Sequence, residues 1–333
     1  MISRQQLQQA VEQQILQPEQ LEPLYQFLQH RELSTATEDP REEPLRFIRS
    51  FGDVFITLGI LLLVFAINMA QLSGYQYLIP VAGLVLISEW LVRVRKLALP
   101  GIALLLAILF FINKAIAFDH LHATTLGLAI LSFSSLIYYL RYRMPFSLLP
   151  FAAGLVAMVI IQSGLKVLEN PIIFAGLGLA VFVLAMVFDM LDTRRVSQLS
   201  DSAFWLHLLA APLIVHGTMF SIITSQHEWI QSINLETIIL LLFAIFFLLA
   251  LLIDRRAMLI STQLYILYAA TQLLQQQFGN TQNIVMYLLL GLGFFVIFFG
   301  SYWYLARRLL FGFLAGSAIS RLVPDLKLRD TRH

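Results

Sequence analysis

Cysteine is absent from this 333-residue sequence. That excludes disulfides, thiolate metal sites and cysteine nucleophiles together. Charge is scarce as well: Asp, Glu, Lys and Arg make up 13% of the residues, where a soluble domain carries about 25%. With a net charge of +2 and no basic cluster, nothing marks a nucleic-acid partner. There is no serine–histidine–acid pattern, phosphate loop, zinc-protease helix or cofactor motif. No Asp or Glu lies at the middle of a long apolar run, which argues against a carboxylate-driven proton pump. No secretory signal opens the sequence, because its first 50 residues are polar and Gln-rich; the first apolar helix is expected to be its own insertion signal.

What abounds is apolar. Hydrophobic residues make up 59% of the chain and the mean hydropathy is +0.78. One water-soluble core could not bury that many apolar side chains, so membrane lipid must solvate much of the surface. The expected fold class is all-α: a polytopic transmembrane bundle of about ten helices with a small N-terminal cytoplasmic helical hairpin. Apolar runs near 51–71, 76–93, 97–117, 121–140, 145–165, 171–191, 203–223, 235–253, 257–276 and 283–306 are each long enough to cross about 30 Å of hydrocarbon.

Four parts follow along the chain. Residues 1–30 read as the hairpin: Leu7, Val11 and Ile15 recur at four-residue spacing, and Leu21, Leu24, Tyr25 and Leu28 line a second helix that Pro18 can start and Pro23 can kink. Residues 31–50 read as a linker, 51–308 as the bundle, and 309–333 as an interfacial helix and cytoplasmic tail. A protein partner, if there is one, would meet the hairpin.

Alternate connections carry Arg93, Arg95 and Lys96; Arg141 and Arg143; Arg194 and Arg195; Arg255 and Arg256; Arg307 and Arg308. The intervening side carries only Lys114 and Lys166, so the count is eleven to two. Basic residues accumulate on the cytoplasmic side, which places this side and both termini inside. Arginines recur at roughly the length of two spans with their loops, so the spacing alone does not establish an internal duplication.

Polar side chains at membrane depth are where function is sought. In the ninth span Ser261, Tyr265, Tyr268, Gln272 and Gln275 are spaced 4, 3, 4 and 3 apart and share one helical face. The fourth span has a weaker stripe in Thr125, Ser132, Ser135 and Tyr139. Such stripes either hydrogen-bond packed helices, the first reading, or line a hydrophilic path. In the seventh span His207 and His216 flank Pro212; nine residues turn the helix through 900°, so the two rings face nearly opposite ways and form no metal pair by themselves. Outer loops hold Asp119, His120, His122, His227 and Glu228, weak candidates for a zinc or copper site beside the simpler reading of solvated loops.

The remaining features read as structural. Glu89 and Arg93 form an i,i+4 pair, and Asp189, Asp192 and Asp254 lie beside Arg194, Arg195, Arg255 and Arg256. Gly176 with Ala180, and Ala153 with Ala157, allow close helix contact. The run 240–253 is expected to face lipid, and Asn170-Pro171 to cap the sixth span, with Pro171 as its first helical residue.

The N-terminal pattern of Leu7, Ala10, Val11, Ile15, Leu16 and Pro18-Glu19-Gln20-Leu21 is followed by Arg46-Phe47-Ile48-Arg49-Ser50-Phe51-Gly52-Asp53 at the first span and by 203–212, AFWLHLLAAP. Together these motifs resemble uncharacterised bacterial multi-pass membrane proteins that place a short helical hairpin before their spans. The resemblance implies a bacterial inner membrane and the same topology, and it brings no activity with it. The functional expectation is therefore a permease or channel for a small solute or ion. The alternatives are a scaffold, assembly factor or sensor, and an enzyme using the outer His and Asp residues. No substrate is indicated.

Overall fold

Backbone amides and carbonyls in hydrocarbon must find partners within their own segment, so long apolar runs become helices. The computed structural model follows this rule throughout: every regular element among the described residues is helical. Those residues are 7–8, 11, 13, 16–35, 50–117, 124–164, 170–192, 198–223, 235–278 and 283–314. Two compact units divide the chain, Met1–Arg46 and Phe47–His333.

In the first unit, helix α1 spans Pro18–Thr35 and carries Pro23 inside it. It starts at Pro18, because proline in the first turn loses no backbone bond that a helix would otherwise make. Helix therefore occupies 31–35, which the sequence assigns to the linker. Most of the expected first hairpin helix, and 36–49, lie outside the described residues.

The second unit holds ten long helical segments among the described residues. They are α2 Phe51–Met69, α3 Gly74–Val94, α4 Ala98–Ala117, α5 Thr125–Tyr142, α6 Pro145–Gln162, α7 Ile172–Leu191, α8 Gln198–Ile223, α9 Leu235–Ile253, α10 Ala257–Phe278 and α11 Asn283–Phe311. Among the described residues eight are long and apolar enough to cross a membrane; α5 and α10 carry the polar stripes. Eight such helices support an integral membrane protein.

Chain neighbours pack as antiparallel hairpins, α3 with α4, α5 with α6, α7 with α8 and α9 with α10. Two helices are central. α4 is packed by α2, α3 and α5 and buries Leu104, Leu105 and Phe111 completely. α8 is packed by α6, α7 and α10 and buries Ala203, Ala210 and Val215. The other helices leave one side to the surroundings, as with Leu61, Leu62 and Phe65 on α2 and Phe294 and Ile297 on α11.

Several local expectations change. The closest helix pair is α7–α8. A Cβ on Gly178 would stand 2.8 Å from the Ile214 nitrogen, and one on Gly217 would collide with the Ala175 backbone. Gly176 and Ala180 face outward instead, because two residues shift the helical face by about 200°. On α6 the close contact belongs to Gly154, whose Cβ would meet Ser132 at 2.8 Å. Helix α9 is not wholly turned outward: Ile239, Phe246, Ala250 and Leu251 are buried while Leu241, Ile245 and Leu248 are exposed. Pro171 occupies the cap of α7 and Ile172 is its first helical residue. α8 begins at Gln198, five residues before the apolar run. α11 runs on to Phe311 across non-helical geometry at Tyr302, so 309–311 continue that helix; 315–333 lie outside the described residues.

Candidate functional site

The arginine-bearing connections meet at one end of the bundle. Arg141 binds Glu89 from the α5 side, Phe146 stacks edge-on against Trp205 at 4.8 Å, Arg255 reaches Asp189, and Arg307 reaches the last turn of α9. Among the described residues these contacts tie 89–96, 141–147, 189–192, 198–205, 251–256 and 303–308 into one layer.

Two ionic clusters hold this layer. In the first, Glu89 accepts from Arg141 through both oxygens (2.8 and 3.0 Å), from Arg93 at 3.2 Å and from the Tyr142 hydroxyl at 3.1 Å. The local Glu89–Arg93 pair is therefore the minor part, because the fork of Arg141 matches the carboxylate geometry. Just inside, the buried Tyr138 hydroxyl lies 3.2 Å from Ser88 Oγ and 3.3 Å from the Gly101 carbonyl.

In the second cluster Asp189, His207 and Arg255 are each 3% exposed. Arg255 donates to Asp189 at 2.6 Å and to the Ser200 carbonyl at 3.3 Å, and His207 Nε2 lies 2.9 Å from Asp189 Oδ2. A carboxylate held by a guanidinium only accepts, so Nε2 of His207 carries the hydrogen. The sequence links Asp189 to neighbouring arginines; in the structure its partner is Arg255, 66 residues away. Beside it Arg307 donates to the Leu251 and Leu252 carbonyls at 3.0 and 3.3 Å, a cation closing a helix C-terminus. Trp303 donates to Asp254 at 2.7 Å, and Arg256 lies 5.2 Å from the Trp303 ring.

Away from that end the polar residues divide into two kinds. On α5, Ser132 donates to the Phe151 carbonyl and Ser135 to the Ser147 carbonyl, both at 2.7 Å and both buried; Thr125 reaches Gln162 at 3.3 Å. These serines close interhelical bonds. On α10 the stripe stays partly open. Tyr265 shares a 2.7 Å hydrogen bond with His216 Nδ1, the His216 ring is exposed, and Tyr268 is 43% exposed. Ser261, Gln272 and Gln275 are partly buried. At 1.5 Å per residue Tyr265 stands about 12 Å along α10 from Ala257, and Tyr268 about 16 Å.

His207 and His216 consequently serve different neighbours, α7 and α10. His216–Tyr265 is a pairing that sequence spacing did not supply, although both members stood out as polar residues in apolar runs. The outer-loop residues Asp119, His120, His122, His227 and Glu228 lie outside the described residues, and among the described residues no cluster of three potential metal ligands occurs. No protein-family model, curated protein or solved structure matches the chain.

Proposed function

We propose that this chain is a ten-span bacterial inner-membrane protein with both termini in the cytoplasm, and that it binds and passes a small polar solute or ion along the α8–α10 face. The observation that carries this reading is the His216–Tyr265 pair at membrane depth with open surface beside it. A polar group in hydrocarbon is costly unless protein or water satisfies it. The α5 serines are satisfied by carbonyls, whereas His216, Tyr268 and Gln272 retain surface that water or a polar solute would fill. The ring of His216 and the Tyr265 hydroxyl can each donate and accept, as a relay or a weak solute site requires. The likeness to multi-pass proteins with a leading hairpin fits the same topology.

A scaffold or sensor is the second reading. It is favoured by the division of the chain at Arg46, since a separate polar unit ahead of the bundle suits a contact with a partner.

Because the native chain has no cysteine, single cysteines at Tyr268, Gln272 and Ser135 can be challenged in cells with a membrane-impermeant thiol reagent. Gln226, in an expected outer loop, is the positive control. The expected pattern is labelling at positions 268 and 272 and protection at 135. Protection at all three with position 226 labelled would remove the aqueous path and move the weight to the scaffold reading.

A further inference from the structure

The last six residues of α3, Glu89–Val94, form a π-helix. Its wider turn has a specific consequence. The Arg95 amide bonds to the Trp90 carbonyl at 3.0 Å, five residues back, and the Arg95 guanidinium lies 5.4 Å from the centre of the Trp90 ring. In an α-helix residues five apart point about 140° away from each other, so the π turn is what brings this cation onto the face that bears the indole. The next residue, Lys96, takes a left-handed conformation (φ 54°), and the Leu97 amide closes the end on the Leu91 carbonyl at 3.0 Å.

The face so formed is an open groove of about 480 Å³ lined by Leu86, Glu89, Trp90, Arg93 and Val94. Its chemistry runs in one direction. Leu86 is 72% exposed and Ile79, two turns deeper, is 74% exposed, so the deep end is apolar; Trp90 is 57% exposed where the groove meets the charged end. At that end Glu89 is the single carboxylate, and Arg141 already takes both of its oxygens. Arg93 remains half exposed, and Arg95 and Lys96 have no carboxylate partner among the described residues.

We propose that this groove is a binding site for one anionic phospholipid, with its phosphate at Arg93, Arg95 and Lys96, the glycerol region against Trp90 and an acyl chain along Leu86 and Ile79. Excess positive charge above an apolar channel complements a molecule with a negative head and a hydrocarbon tail. A tryptophan at the junction suits the interfacial depth. The Glu89–Arg141 fork is the floor of the site: one carboxylate is shared between Arg141, on both oxygens, and Arg93 at 3.2 Å, which leaves the group net positive, and the fork anchors α3 to α5. A choline headgroup would add a cation where Arg93 and Arg95 already stand, so a zwitterionic lipid is disfavoured at the head position. The site is independent of the transport reading, since it lies on α3 and not on the α8–α10 face.

The test is native mass spectrometry of the full chain in detergent, titrated with dioleoyl phosphatidylglycerol, dioleoyl phosphatidylcholine or inorganic phosphate. One phosphatidylglycerol is expected to bind at least roughly tenfold more tightly than phosphatidylcholine, with no retention of phosphate alone. Arg95→Gln plus Lys96→Gln is expected to weaken phosphatidylglycerol roughly thirtyfold, since each cation near an anionic surface contributes roughly a factor of five. The single variants are expected to give intermediate losses, and they supply the reading if the double variant does not fold. Arg143→Gln removes a cation at the same end but outside the groove, and is expected to leave binding unchanged. Equal affinity for the two lipids, retention of phosphate alone, no loss in the Arg95 and Lys96 variants, or an equal loss in Arg143→Gln would each overturn the assignment.

Discussion

Replacing Asp189 by asparagine would leave Arg255 buried with its partner's charge gone and His207 facing a weaker acceptor. Removing one member of a buried pair costs about 3–5 kcal/mol, because the remaining charge is uncompensated. Asp189→Asn is therefore expected to lower the unfolding midpoint of the purified protein sharply. Asp189→Leu combined with Arg255→Met should recover much of the loss, since an apolar pair leaves no orphaned charge. Thermal unfolding of the native protein and these two variants in detergent measures both, and a double variant no more stable than Asp189→Asn would contradict the pairing. This cluster shows the limit of reading residues from sequence. Asp189 and His207 stood out as polar residues in apolar runs, but which arginine meets the carboxylate depends on how α7 and α9 are rotated about their axes. The sequence sets Asp189, Asp192 and Asp254 beside Arg194, Arg195, Arg255 and Arg256 without pairing them; packing brings Arg255, from the turn after α9, to Asp189, while Arg194 and Arg195 lie outside the described residues. The same holds for Glu89, whose i,i+4 partner Arg93 was legible and whose bidentate partner Arg141, 52 residues on, was not. Periodicity did identify the polar members of α5 and α10, because a 3.6-residue repeat is a property of one helix alone.

Helices α7 and α8 approach closely through glycine, beside the His207–Asp189 hydrogen bond that joins them near one end. Gly178 meets the α8 backbone at Ile214, and Gly217 meets the α7 backbone at Ala175. Small residues permit such contact where hydrocarbon gives helices no hydrophobic drive to associate. Gly217→Ala is expected to force the pair apart and cost about 1–3 kcal/mol, the usual penalty of overpacking. Gly176→Ala, two residues from the contact and open to its surroundings, is expected to be neutral or slightly stabilising, since alanine is the better helix former. Comparing their unfolding midpoints checks the rotation of α7; equal losses would mean that the contact face is assigned wrongly. At this scale existence and length were readable, and rotation was not. A run of apolar residues must become a helix of about its own length in lipid, but the Gly176–Ala180 and Gly178 faces both present small residues, and only the partner helix decides between them. The ends behave similarly. Lys96, Arg143 and Asp254 all adopt left-handed geometry where glycine is the common residue. Lys96 and Arg143 thereby place cations at helix C-termini, where they oppose the dipole, whereas the anionic Asp254 accepts from the Trp303 indole.

For the molecule as a whole, polar chemistry is distributed by depth. The arginine-rich end is cross-tied through Glu89, Asp189 and the carbonyls of α9, and the central helices α4 and α8 are packed on several sides. Between them, the α8–α10 face is the place among the described residues where paired polar groups at depth keep an open side. Overall class was legible because composition alone demands a lipid environment. The open face was legible only as a stripe, since exposure is set by helices that the stripe does not touch. Whether that open side meets water or lipid decides the functional reading. A nitroxide spin label on a single cysteine at Tyr268, in protein reconstituted into lipid vesicles, distinguishes them through its collisions with a water-soluble nickel chelate and with oxygen. A label at Leu241, an exposed apolar position on α9, serves as the lipid-facing reference. The expected result is collision with the nickel chelate at Tyr268 well above that at Leu241. Oxygen-dominated relaxation matching Leu241 would contradict the aqueous path and leave the α8–α10 face as a surface against lipid.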